Sequence, residues 1–133
     1  MKKVKGLIIM LLISLSLFGM TACDGENGKS STYEQITAEQ AKTIMDAEKD
    51  YIIIDARTQS EFDEGHIPGA ILIHEYEIAE RAESELSDKN QLILVYCRSG
   101  RRSKIAAEEL VKLGYTNVKE FGGIIDWEYE IVK

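Results

Sequence analysis

Two stretches of this chain, residues 51–54 and 92–96, are continuously apolar and rich in β-branched side chains, and each runs straight into a polar residue, Asp55 and Cys97. A strand with one wet face alternates polar and apolar residues. One that does not alternate is covered on both faces, which is the mark of a parallel sheet held between helices. The neighbouring segments agree. Thr37-Ala38-Glu39-Gln40 forms a capping box ahead of Ala41, Ile44 and Met45, predicting a helix to about Glu48. Residues 78–86 and 103–113 carry apolar side chains at helical intervals, and Gly114 stands where the second of these needs a stop. Residues 71–73 and 117–121 read as shorter strands, and residues 124–132 as a closing helix that packs Trp127 and Ile131. Strands and helices alternating at these lengths predict an α/β domain of three layers, a central parallel sheet flanked by helices.

In such sheets ligands gather at the carboxyl ends of the strands, where Cys97 and Asp55 both stand, so a shared crevice is expected. A cysteine between a strand and the first turn of a helix faces unpaired backbone N–H groups and the positive helix end. Arg98, Arg101, Arg102 and Lys104 add cations, so a thiolate, a persulfide or an incoming oxyanion is stabilised there. A solvated helix face accounts for Arg101 and Lys104 equally well. Such a cysteine is a poor candidate for burial and a good one for a nucleophile. Gly100 is expected to turn the loop so that its N–H groups point inward, and Ser99 to offer a hydroxyl. The candidate site is therefore Cys97 as nucleophile, with Arg98, Ser99, Gly100, Arg101 and Arg102 binding substrate. Spacing narrows the chemistry: a cysteine phosphatase needs arginine six residues after the cysteine, where this chain has Ser103, and Arg102 instead closes a tighter loop of six residues.

That loop resembles the active loop of rhodanese-like sulfurtransferases, and the resemblance covers residues 33–133. Asp55-Ala56-Arg57, Glu61-Phe62, Gly65-His66-Ile67-Pro68-Gly69-Ala70, Gly122-Gly123 and Trp127 follow the family's order. It implies a rhodanese-like fold and an enzyme whose cysteine takes sulfane sulfur from a small anionic donor such as thiosulfate, holds it as a persulfide, and passes it to a thiol or cyanide. No cofactor and no metal are implied. Asp55 and Arg57 are motif residues expected to be structural. His66 is expected to lock its turn by bonding backbone, Trp127 to belong to the core, and His74 has no partner pattern for a metal site. A phosphatase or arsenate-reducing enzyme is disfavoured by loop length and by Tyr96. A non-catalytic persulfide carrier or redox-sensing module is the remaining alternative.

The amino end reads as an export signal: Lys2, Lys3 and Lys5, then residues 7–20, apolar except for Ser14 and Ser16. Fourteen residues fall short of the roughly 20 that span a bilayer. Met20-Thr21-Ala22-Cys23 resembles the lipobox of bacterial lipoproteins, with methionine where leucine is usual. It implies a signal over residues 1–22, a lipidated Cys23 at the head of a polar tether over residues 23–32, and a domain over residues 33–133 anchored on the extracytoplasmic face of the cell membrane. Cys97 is then the only free thiol, and no internal disulfide can form. Loss of residues 1–22 removes three lysines and no acid, taking the formal charge from −7 to −10 and arguing against nucleic acid as a partner. No internal repeat is found, so a single module, acting as a monomer, is expected.

Overall fold

The computed structural model of the protein describes residues 32–133. The expected signal peptide and Cys23, with all of the tether except Thr32, lie outside these residues. The described chain runs β1 (Glu34–Gln35), α1 (Ala38–Ala47), β2 (Tyr51–Asp55), α2 (Gln59–Glu64), β3 (Ile71–Leu72), α3 (Ile78–Glu85), β4 (Leu92–Cys97), α4 (Arg101–Lys112) and β5 (Val118–Gly123), with single 3₁₀ turns at Glu75–Glu77 and Ile124–Asp126. The five strands form one sheet in the order β1-β5-β4-β2-β3, every pair parallel.

β2 and β4 pair in register, Ile52 with Ile93 and Ile54 with Val95, which brings the two apolar runs together at the centre. Alternate side chains then feed two cores. Ile54, Ile93, Val95 and Cys97 face α3 and α4, while Ile53, Leu94 and Tyr96 face α1, Ile67 and Phe121. The three expected layers are present.

Local signals build the helices as read. Thr37 and Gln40 close the capping box of α1 from both sides. At the far end of α4, Gly114 donates to the Val111 carbonyl and Tyr115 to the Leu110 carbonyl, the paired bonds of a Schellman stop. Two elements were absent from the sequence reading. α2 has a capping box of its own, Thr58 with Glu61, and β1 is a polar pair of residues joined to β5 at Glu34 with Lys119.

One expectation is overturned: residues 124–132 do not form a helix. After the 3₁₀ turn the chain extends, and Val132 exchanges backbone hydrogen bonds with His66, at 2.9 and 2.8 Å. In Trp127-Glu128-Tyr129-Glu130-Ile131-Val132 apolar and acidic residues alternate before a β-branched end, a period-2 pattern that favours extended backbone wherever another segment offers free N–H and C=O groups. Trp127 packs against the second core as expected, but Ile131 is half exposed.

Candidate active site

β4 delivers Cys97 to the carboxyl edge of the sheet, with its side chain on the α4 face. Arg98, Ser99 and Gly100 turn the chain into α4. Gly100 adopts φ 107°, a left-handed conformation in which glycine carries no Cβ penalty. The turn aims its N–H at the sulfur, 3.0 Å from Sγ. On the other side Gly123 lies against the loop, and a Cβ there would meet the Arg98 carbonyl oxygen at 1.9 Å, so β5 can close on the loop only with glycine at this position. The expectation that Cys97 stays unburied is corrected: the residue is 1 % exposed. The loop backbone folds over the sulfur with the Gly100 N–H inward while Arg98, Ser99 and Arg101 are exposed to water. A cationic run thus shields a thiol with peptide groups and leaves its own charges at the rim.

The three arginines are differently employed. Arg98 is exposed. Arg101 is exposed with Nη2 4.0 Å from Glu75 Oε1. Arg102 grips Glu61 with two parallel bonds of 2.7 Å, so its charge stays beside the loop while its terminal nitrogens are engaged. Arg102 holds the Glu61 carboxyl well below the usual carboxylate range, assisted by Thr58, which donates to Glu61 through both its N–H and its hydroxyl. One carboxylate therefore caps α2 and fixes the end of the active loop. A carboxyl depressed in the fold contributes stability that is complete above about pH 5 and is lost progressively as pH falls from the unfolded value toward the lowered folded one. Glu61→Gln is accordingly expected to lower stability at pH 7 by about 1–2 kcal/mol and to show a smaller deficit near pH 3. Urea denaturation at the two pH values measures this, and an equal deficit at both would refute it.

Ser103 and Glu120 were not singled out as site residues from the sequence. Ser103, fully buried, lies 3.4 Å from Sγ and donates to Glu120 Oε1 at 2.6 Å; the same oxygen accepts from the Gly122 N–H at 2.8 Å. An acid at an inward position of the short strand β5 was the available signal, since a buried carboxylate must find donors. These bonds tie the first turn of α4, the end of β5 and the sulfur into one assembly.

Asp55 does not share a crevice with Cys97, which corrects the sequence expectation. It pairs in register with Tyr96, and successive side chains on a strand point to opposite faces, so Asp55 and Tyr96 occupy the face away from the sulfur. There Asp55, fully buried, binds Arg57 through both oxygens and accepts the Tyr96 hydroxyl at 2.6 Å. Tyr96 also accepts from the Ile67 N–H, and Arg57 donates to the Gly65 carbonyl at 2.7 Å. Burial, with the Asp55 charge, pushes the Tyr96 phenol up. His66 bonds the Phe62 carbonyl through Nδ1 and stacks on the Phe62 ring at 3.6 Å, locking the turn as its setting suggested. Among the described residues no group of three or more His, Cys, Asp or Glu side chains is disposed to hold a metal, and no helix is long and apolar enough to cross a membrane.

The profile of the family described as Rhodanese-like domain matches residues 37–130. The chain belongs to that family. This rhodanese-like domain is 41 % identical over 73 residues to thiosulfate sulfurtransferase PspE of Escherichia coli strain K12, covering 55 % of this chain and 70 % of the relative. It is 33 % identical over 99 residues to the putative sulfur carrier protein YrkF of Bacillus subtilis strain 168, covering 74 % of this chain and 52 % of YrkF. Among solved structures it is similar to a rhodanese with anions from E. coli, at 38 % identity and a TM-score of 0.59, over 62 % of this chain and 98 % of the other. Sulfurtransferase activity is thereby supported at the level of the family.

Proposed function

We propose that this rhodanese-like domain moves sulfane sulfur from thiosulfate or a similar small anion to a thiol, through a persulfide on Cys97. The observation that carries the reading is the cup itself: a Gly100 N–H 3.0 Å from Sγ, at the start of a helix whose positive end faces the sulfur. The Cys97 thiolate attacks the outer sulfur of the donor, the S–S bond of the donor breaks, and sulfite leaves with the electron pair. An acceptor thiolate then attacks the outer sulfur of the persulfide, and Cys97 departs as a thiolate. Anion stabilisation and positioning meet most of the demand. Where a phosphatase would need arginine, Ser103 is buried and occupied with Glu120, which weighs against phosphoryl transfer.

The purified domain is expected to release sulfite from thiosulfate and to form thiocyanate with cyanide, with negligible hydrolysis of an aryl phosphate. Absence of sulfite release would refute the reading. One equivalent of sulfite without turnover would favour the second reading, a persulfide carrier, which the similarity to YrkF supports.

The domain is read as a monomer, and the resemblance of Met20-Thr21-Ala22-Cys23 to a lipobox supports a further part of the proposal, that a lipidated Cys23 tethers it to the outer face of the cell membrane. The mass of the mature amino terminus decides this independently of the chemistry.

A further inference from the structure

The carboxyl edge of the sheet carries more apolar surface than a small anion can use. The strand order places the Cys97 loop between the turn that follows β5 and the turn that follows β3, all emerging on one edge because every strand is parallel. Each of those turns presents a large apolar side chain to water, Ile125 at 63 % exposure and Tyr76 at 77 %, and these are the two most exposed large apolar residues described. Both are anchored to the loop. Ile125 donates its N–H to the Arg98 carbonyl at 3.3 Å, and Glu75, next to Tyr76, lies 4.0 Å from Arg101. Arg98 and Arg101 beside them, and Lys104 in the first turn of α4, are exposed on a chain whose formal charge is −7.

We propose that the acceptor is a cysteine on an acidic protein surface, seated across Tyr76 and Ile125 with the loop mouth between them. This rests on the sulfur-transfer reading and deepens it by naming the acceptor class. A small thiol or cyanide would bury neither side chain. A protein surface buries both, and apolar anchors ringed by charge are how transient partners are recognised. The complementary sign is negative, because the cations at the mouth attract acids and speed encounter. The atom the acceptor must reach is the outer sulfur of the persulfide, one S–S bond of about 2 Å beyond the buried Sγ.

The test uses the full chain, thiosulfate as donor, and three acceptors: the peptides acetyl-Glu-Leu-Cys-Leu-Glu-amide and acetyl-Lys-Ser-Cys-Ser-Lys-amide, and cyanide. The acidic apolar peptide is expected to show a kcat/KM at least tenfold above the basic one, although the lysines make the basic peptide's thiol the better ionised. Tyr76→Ser combined with Ile125→Ser should lower kcat/KM for the acidic peptide about tenfold and leave the cyanide rate within twofold. Raising the salt should shrink the preference. Equal use of the two peptides, or a double variant that keeps the native peptide rate, would overturn the inference. So would transfer of the same two residues' role to another occupant: binding to phosphatidylglycerol vesicles, or a dimer in sedimentation, abolished by the double variant. Absence of sulfite release from thiosulfate in the native chain would instead refute sulfur transfer itself, so the two failures are distinguishable.

Discussion

Cys97→Ala is expected to abolish sulfite release from thiosulfate and thiocyanate formation, a loss of at least about 1000-fold, because no other group near the loop can carry sulfur covalently. The sulfur accepts from the Gly100 N–H at 3.0 Å, and its thiol donates to Ser103 Oγ at 3.4 Å. Among the described residues Cys97 is the only cysteine. The replacement leaves a small space in a buried position and no unpaired charge, so the fold should persist, with an unchanged circular dichroism spectrum. Ser103 would keep its shortest bond, to Glu120. Binding of thiosulfate should survive in part, since the loop donors and the rim cations remain. A well-folded variant that keeps most of its sulfite release would sink the nucleophile assignment and with it the persulfide.

Asp55→Ala should be the most damaging single change to stability, about 3–5 kcal/mol. Arg57 is 5 % exposed and would be left as an unpaired buried charge; the Tyr96 hydroxyl would lose its acceptor 2.6 Å away. Against the roughly 5–15 kcal/mol that keeps a domain of this size folded, such a loss approaches unfolding at 37 °C. Removing both charges tests the cause. Asp55→Ala with Arg57→Ala should cost clearly less than the two single changes added together, because the second deletion relieves the isolated charge created by the first. Urea midpoints of the four proteins measure the coupling, and simple additivity would show that the pair contributes only packing. Sulfur transfer by whatever fraction remains folded should be near native, since Asp55 lies on the sheet face away from Cys97.

Features that depend on neighbours in the chain were legible before the fold was known. The apolar runs of β2 and β4, the Thr37–Gln40 capping box, the Gly114 stop and the six-residue spacing from Cys97 to Arg102 are local, each governed by the backbone of a few consecutive residues. A second capping box, Thr58 with Glu61, is just as local, but the helix it opens is six residues long and buries no side chain, so no apolar periodicity marks it. What tertiary structure alone decided is where separated side chains meet. Glu61 and Arg102 are 41 residues apart, as are Asp55 and Tyr96, and Ser103 finds Glu120 across 17. The closing segment was misread for the same reason: its extended form depends on His66 offering a backbone edge. Strand alternation sent Asp55 and Cys97 to opposite faces, although both stand at strand ends. Propensity, spacing and burial pattern are properties of short segments, so the layers, the loop and Cys97 as the candidate nucleophile could be read from the chain alone. The partners of the loop arginines, the burial of the sulfur and the apolar rim beside it depend on strand order, which brings distant residues to one edge.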